Sequence, residues 1–154
     1  PFILKPLNGM GGESIYKFDQ VTDEEIGIFQ SLSKNNTHVM LQSFLPEIYD
    51  GDFRILIIHG EVCPIALARI PQEGSFKGNL AAGGKGIAKE ISTQQKNVAK
   101  EIGKILIKNN IAFAGIDMIG NHLTEINVTS PTGAKEIFDQ SGVNPIELLF
   151  NKLL

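Results

Sequence analysis

Residues 114–119 and 123–127, AGIDMI and LTEIN, are two short alternating runs around Gly120-Asn121-His122, and such a pattern leaves the chain little choice but an antiparallel hairpin. Successive side chains of a strand point to opposite faces, so Glu125 and Asn127 share one face. Whether Asp117 joins them depends on the turn. A two-residue loop pairs Asp117 with Thr124 and turns it away from Glu125. A three-residue loop at Gly120-Asn121-His122 pairs Asp117 directly with Glu125, and since three-residue hairpins are common this is the expected register. It gathers two carboxylates and a carboxamide, hard oxygen ligands that suit Mg²⁺, with Ile116, Met118 and Ile126 on the opposite face. The plain alternative is a solvent-facing sheet surface; the depletion of acidic residues and Asn in strands stands against it.

The rest of the chain alternates strands, turns and capped helices. Phe2–Lys5 reads as a strand, Asn8–Gly12 as a turn and Ser14–Phe18 as a strand again. Thr22 and Glu25 form a capping box for a helix to about Lys34, with Ile26, Phe29 and Leu32 as its apolar stripe and Asn35-Asn36 as its stop. His38–Phe44 is a strand. Phe53–Ile58 and Glu61–Arg69 flank His59-Gly60 as a hairpin. Residues 71–89, glycine-rich and aperiodic, read as one long loop of the kind that is either functional or disordered. Ser92 and Gln95 cap a helix whose Val98, Ile102, Ile105 and Leu106 face a core, ended by Asn109-Asn110. A short helix covers about Ala134–Gln140 and closes at Gly142; Asn144, Pro145 and Glu147 open a C-terminal one. The mixture is α+β with mainly antiparallel strands.

A chain of 154 residues is about one domain, long enough for a real core. Its net charge of −3, with both signs mixed and no basic tract, argues against a nucleic-acid partner. No apolar run is long enough to span a bilayer, so no membrane partner is expected. The single cysteine, Cys63, excludes an internal disulfide and fits a reducing cytosol. Pro1-Phe2-Ile3-Leu4-Lys5 has neither the basic flank nor the cleavage site of a signal peptide. It reads as the inside of a strand without an initiating methionine, and upstream chain is expected.

Three further features carry chemistry. Lys5 and Gly9, Gly11 and Gly12 sit between two strands, where glycine backbone N–H groups can converge on an anion and the lysine can place a charge on a phosphate. The Lys-Ser/Thr pair and following helix of a P-loop are absent, and a hairpin turn beside a surface lysine is the bland reading. Parity through the His59-Gly60 turn puts Asp52, Arg54 and Arg69 on one face, with Cys63, read as a small packed residue, on that face too. Arginine there offers bidentate recognition of carboxylate or phosphate; an Asp52–Arg54 surface ion pair, worth about 0–1 kcal/mol, is the alternative. His38, His59 and His122 share no zinc-site spacing and read as turn or surface residues.

Four segments together carry a family resemblance: Ile3-Leu4-Lys5-Pro6-Leu7-Asn8-Gly9-Met10-Gly11-Gly12, Leu67-Ala68-Arg69-Ile70-Pro71-Gln72, Gly78-Asn79-Leu80-Ala81-Ala82-Gly83-Gly84, and Leu123-Thr124-Glu125-Ile126-Asn127-Val128-Thr129-Ser130-Pro131-Thr132. In this order they resemble the bacterial glutathione synthetases of the ATP-grasp superfamily, over nearly the whole chain. The resemblance implies an α+β ATP-grasp fold, antiparallel sheets flanked by helices and incomplete at its N-terminus. Residues 1–45 would be part of the small lid subdomain, and 46–154 the C-terminal subdomain with a mobile loop at 70–86.

It also implies a reaction: γ-glutamylcysteine, glycine and ATP give glutathione, ADP and phosphate through an acyl phosphate. Lys5, Gly9, Gly11 and Gly12 would hold the ATP phosphates, Gln42, Ser43, Phe44 and Leu45 would receive adenine, and Asp52 would lie close to the nucleotide. Glu125 and Asn127, with Asp117 as a third, match the ligands of Mg²⁺, for which Mn²⁺ can substitute. Arg54 and Arg69 match the catalytic arginines, with Arg69 also on a peptide carboxylate. Asn79, Ser130 and Thr132 fall among the substrate-binding positions. A cytoplasmic enzyme with a homo-oligomeric parent is implied. The family's N-terminal domain and a second ATP lysine lie upstream of Pro1, so catalysis by this chain alone is not expected. The alternatives are another ATP-grasp carboxylate–amine ligase or an inactive nucleotide-binding fragment.

Overall fold

The computed structural model describes residues 1–9 and 11–151, apart from the side chain of Asn35; Met10 of the glycine loop lies outside them. The chain forms two compact units, Pro1–Pro46 and Glu47–Leu154.

In the first unit β1 (Phe2–Pro6) lies between β2 (Tyr16–Phe18) and β3 (Val39–Ser43), all antiparallel. Ser14, expected to open the second strand, instead belongs to a turn and has φ 54°. Helix α1 (Asp23–Leu32) starts on the expected Thr22–Glu25 capping box, and a 3₁₀ turn at Lys34–Asn36 follows it. Its apolar stripe is not buried: Ile26 is 44 % and Phe29 47 % exposed. Those side chains form one wall of a groove of about 270 Å³, whose other wall is Phe2, Leu4, Phe18, Val39 and Leu41. A three-stranded sheet with one strand of three residues presents too little surface to close over the helix.

The second unit is built on β4 (Asp52–Ile58). Around it stand β5 (Glu61–Val62), β6 (Ile65–Ile70), β7 (Lys85–Glu90), β8 (Phe113–Ile119) and β9 (His122–Asn127), in the order β7-β6-β4-β8-β9 with β5 also on β4. Helices α2 (Thr93–Lys108), α3 (Ala134–Ser141) and α4 (Pro145–Asn151) complete it. Ile55 and Ile57 pack with Ala99 and Leu106 of α2 and with Ile116 and Met118, while Leu56 packs with Cys63, Leu67 and Ile137 of α3. Helices therefore cover both faces of β4, which is why Ile55–Ile58 reads as an unbroken apolar run rather than an alternating one. Each such side chain contributes about 1.5–3 kcal/mol on burial. Ile105 of α2, expected in the core, is 54 % exposed; Ala99 and Gly103 take the inward positions.

His59 and Gly60 make the expected two-residue turn, with φ 47° and 77°, as a type I′ hairpin requires, and Ile58 pairs with Glu61. The strand after it is not continuous. It breaks at Cys63-Pro64, since proline has no N–H for the ladder, and resumes with Asp52 opposite Arg69 and Arg54 opposite Leu67. The offset is two residues, so Asp52, Arg54 and Arg69 keep the expected common face. The long loop is shorter than expected, because Lys85–Glu90 pairs with β6 as an edge strand. Its lysines and lone large aliphatic residue, Ile87, hid the strand from a pattern search.

Candidate active site

The β8–β9 hairpin delivers its side chains by a different route from the one expected. The turn is the two-residue one, with Ile119 opposite His122 and Met118 opposite Leu123. Thr124 is then an extra residue, a β-bulge that restores Asp117 opposite Glu125 and Gly115 opposite Asn127. The Thr124 hydroxyl donates to the Asp117 carbonyl at 3.1 Å and holds the bulge. The expected pairing is thus reached through a shorter turn and a compensating bulge. Ile116 and Met118 enter the core as expected, but Ile126, on the outermost strand, is 44 % exposed.

Asp117, 2 % exposed, is the centre of the charged cluster. Arg54 grips it with both prongs of its guanidinium: Nε donates to Oδ1, and Nη2 donates to Oδ2 at 2.8 Å. Arg69 Nη2 lies 3.0 Å from the same Oδ2 and also donates to Asp52 Oδ2. Asp52 is therefore the partner of Arg69, and the Asp52–Arg54 surface pair does not form. Asn127 Nδ2 reaches Asp117 Oδ2 at 3.4 Å, and Arg54 Nη1 reaches the Thr132 carbonyl and hydroxyl, both at 3.4 Å. Both arginines are buried, Arg54 7 % and Arg69 5 % exposed.

Burial is the largest single influence on Asp117, Asp52 and Arg54, and its balance against the partners decides which way each moves. At Asp117 burial acts to raise the pKa; the Arg54 hydrogen bond and the charges of Arg69 and Arg54 outweigh it and hold the carboxyl below its ordinary value. At Asp52 burial wins over the Arg69 charge, Asp117 adds repulsion, and the pKa is pushed up to about 6. Asp52 Oδ1 is buried with no hydrogen-bond partner among the described residues, in keeping with that shift. At Arg54 burial is opposed by the hydrogen bond and charge of Asp117, and the guanidinium is held above its ordinary range.

Two glycines that pattern reading did not single out make the cradle for Arg54. A Cβ on Gly115 would stand 2.8 Å from Arg54 Cδ and 2.8 Å from Pro131 Cβ, so only glycine lets the arginine lie across the sheet there. A Cβ on Gly133 would stand 3.5 Å from Arg54 Cγ. A glycine inside a strand pattern is itself a sign of close backbone approach, and Gly115 was legible on that ground. Ser130 has φ 45° next to Pro131, a strained position for a non-glycine residue at the entry to α3.

The middle of the loop after β6 also reaches this cluster. A Cβ on Gly78 would meet the Arg69 carbonyl oxygen at 2.6 Å and Asp52 Cβ at 3.1 Å. Asn79 follows it, its carbonyl accepting from Ala82 and Gly84 N–H at 3.0 and 3.1 Å. In the first unit, Ile3 stands opposite both Lys17 and Gln42, and Lys5 opposite Met40, so Lys5, Lys17 and Gln42 share one face of that sheet. Lys17, which pattern reading passed over, lies 4.0 Å from the centre of the Phe44 ring. The Phe44 N–H donates to the Pro1 carbonyl at 3.1 Å. Leu45 follows, and Ser43, exposed, alternates to the other face. Gly9 and Gly11 are exposed and Gly12 is buried.

The donor set on β8 and β9 fits a hard divalent cation. Glu125 is exposed and makes no hydrogen bond among the described residues, Asn127 uses its nitrogen toward Asp117 and keeps its oxygen, and Asp117 Oδ1 accepts only from Arg54 Nε, leaving it acceptor capacity. Two carboxylates and one amide oxygen are too few to enclose an ion, as expected where phosphate and water complete the shell. Among the described residues no group of three His, Cys, Asp or Glu side chains could hold a metal by itself.

Antiparallel sheets flanked by helices, in two units with a basic face on one and a charged hairpin cluster on the other, place the chain in the ATP-grasp class. Solved structures share the fold: "D-cycloserine synthetase DcsG" at a TM-score of 0.66 and 16 % identity, over 84 % of this chain and 48 % of that one, and "ATP-grasp ligase PsnB complexed with minimal precursor, Mg, and ADP" at 0.65 and 20 %, over 99 % and 44 %. Within that class the chain belongs to the prokaryotic glutathione synthetases, residues 1–142 matching the family described as "Prokaryotic glutathione synthetase, ATP-grasp domain". It is 52 % identical to the glutathione synthetase of Nitrosomonas europaea over 98 % of this chain and 48 % of that protein. It is 50 % identical to that of Neisseria meningitidis serogroup A, over 91 % and 44 %. The chain thus spans about half the length of the curated relatives it matches. Among its described residues no helix is long and apolar enough to cross a membrane.

Proposed function

We propose that this chain is the nucleotide- and metal-binding portion of a cytoplasmic ligase that joins γ-glutamylcysteine to glycine at the expense of ATP. The observation that carries the reading is the Arg54–Asp117–Arg69 cluster, set beside Glu125 and Asn127 by the β8–β9 bulge. The cysteinyl carboxylate oxygen attacks the γ-phosphorus of ATP, the bond to the ADP oxygen breaks, and an acyl phosphate forms. The glycine amine then attacks the acyl carbon, phosphate leaves with the C–O bonding pair, and the amine gives up a proton.

Arg54, locked on Asp117 and aimed by its Gly115 and Gly133 cradle, is preorganised to meet the charge that grows on the acyl phosphate and tetrahedral intermediate. Arg69 binds a peptide carboxylate, as its planar fork suits. Thr132 and Ser130, ahead of α3, supply hydroxyls to the substrate. Asn79 and the loop cover the site, because water would hydrolyse an acyl phosphate. Lys5 and Gly9, Gly11 and Gly12 hold the phosphates, Gln42 to Leu45 receive adenine, and Asp52 lies by the nucleotide. Glu125, Asn127 and Asp117 would hold Mg²⁺, or Mn²⁺ in its place, which when bound neutralises charge on the transferring phosphoryl group. The whole enzyme is proposed to be a homo-oligomer.

Arg54→Ala in the full-length enzyme tests this. Loss of one such donor lowers kcat about 10²–10³-fold, with the dissociation constant of an ATP analogue nearly unchanged by calorimetry. Glutathione formation at the wild-type rate in the variant would remove Arg54 from the mechanism. Wild-type enzyme that releases no ADP with both substrates present would remove the ligase reading itself.

A further inference from the structure

Strand β7 is an edge of its sheet, and it carries the chain straight out of the loop at 71–84. An edge strand has a row of backbone groups with no neighbour. Here one side chain takes the place of a neighbouring strand. Gln140, in the last turn of α3, accepts from the Ala88 N–H through Oε1 at 2.9 Å and donates from Nε2 to the Gly86 carbonyl at 3.2 Å. Donating an N–H to the carbonyl of one residue and accepting the N–H of the residue two further on is the pattern a residue of a parallel strand makes. The carboxamide thus reads β7 as a peptide group does.

The same helix touches the charged cluster at its other end. Thr132, just ahead of α3, accepts from Arg54, and Gly133 beside it is part of that arginine's cradle. Ile137, midway along, packs in the cluster of Leu56, Cys63 and Leu67, on which Leu80 of the loop is seated. A Cβ on Gly86 would stand 3.1 Å from Leu67 and 3.3 Å from Leu80, so the strand residue Gln140 holds is the one over which the loop's Leu80 is laid. One helix of eight residues therefore links the loop's exit to the arginine.

We propose that Gln140 is a positioning residue for the loop at 71–84: by standing in for a neighbouring strand it fixes the start of β7, and with it the seat of Leu80, relative to Arg54. It acts through the loop and touches no reacting atom. The inference rests on the ligase reading, because its chemical consequence is escape of the acyl phosphate. When the cover is loose, water attacks the acyl phosphate and returns carboxylate and phosphate, so ATP is consumed with no amide bond formed.

The test uses the full-length enzyme with Gln140→Ala and Gln140→Glu, and reads the ratio of ADP released to glutathione formed, the rate of tryptic cleavage after Lys77 in the loop, and the melting temperature. Gln140 is exposed, so both variants are expected to fold. The wild type should give a ratio near one. Gln140→Ala should raise it several-fold and speed cleavage after Lys77 to a similar extent. Gln140→Glu, which keeps the acceptor for Ala88 and loses the donor to Gly86, should fall between. A ratio that stays at one with unchanged cleavage overturns the proposal, and so does a lower melting temperature with neither readout moved. If the wild type forms no glutathione, the ligase reading has failed, and cleavage alone then decides whether Gln140 anchors the loop.

Discussion

Asp117 and Glu125 are carboxylates directly opposite one another on neighbouring strands, on one face of one sheet, yet they live in different surroundings. Asp117 sits on β8 beside the central strand, 2 % exposed, and both its oxygens are taken by guanidinium groups. Glu125 sits on β9, the outermost strand, exposed and without a hydrogen bond among the described residues. A single strand's width separates a charge bound into the architecture from one held ready for something else. An ion pair in a dry interior has lost its hydration and depends on its partners, whereas an exposed carboxylate keeps water and can trade it for a cation. The sheet thus grades its charges from interior to edge, and Asp117 stands between the two: it orients the arginines and keeps acceptor capacity on the face where we propose the metal binds.

The largest test of that gradient is at its inner end. Asp117→Asn leaves Arg54 and Arg69 buried without their common counter-charge, and breaking a buried pair in this way costs about 3–5 kcal/mol. Urea melts at neutral pH should show a loss of that size in the variant. A loss below about 1 kcal/mol would mean that the arginines are hydrated in solution, and the contrast with Glu125 would collapse.

A smaller effect is expected one step along, at Asp52. Its pKa in the folded chain is about 6 against an ordinary 3.8, so folding prefers the protonated form. The associated stability is fully present below about pH 3.8 and is lost as pH rises through about 6, a change of ~3 kcal/mol at most. Asp117, with its lowered pKa, acts the other way, losing stability as pH falls. The difference between wild type and Asp52→Asn cancels that opposing contribution to first order. Wild-type stability should therefore fall relative to Asp52→Asn between pH 4 and pH 7. A constant difference across that window would place the Asp52 carboxyl in water.

Which parts of this gradient were legible before the fold was known follows from the range of the forces involved. The capping boxes at Thr22 and Ser92 and the turn at His59-Gly60 depend on residues within four of each other, and they stand where the sequence puts them. The face shared by Asp52, Arg54 and Arg69 survived the break at Pro64 only because the offset was two residues, which preserves parity. The pairing of Asp117 with Glu125 was expected through a three-residue loop and arises from a bulge at Thr124, a choice made by a hydrogen bond to the opposite strand. Strand β7 escaped notice because its pairing is with β6, and the Asp52–Arg69 and Arg54–Asp117 partnerships because they depend on strand order; no local window holds that information.

The outer end of the gradient carries the smallest stability effect and the sharpest functional one. Glu125→Gln keeps the shape and removes the charge of an exposed side chain with no hydrogen bond or ion pair among the described residues, so stability should change by no more than about 0.5 kcal/mol. If the carboxylate is there for a divalent cation, the loss appears elsewhere. Affinity for an ATP analogue in the presence of Mg²⁺ should drop about tenfold or more, while affinity measured in excess chelator should be the same for variant and wild type. Paired calorimetric titrations, with and without Mg²⁺, separate the two. Equal Mg²⁺-dependent affinity would show that Glu125 is an ordinary surface carboxylate and that the metal side of the hairpin is wrongly placed. A loss of several kcal/mol in stability would show that the edge is as built-in as the interior, and the division of labour between the two carboxylates would have no physical basis.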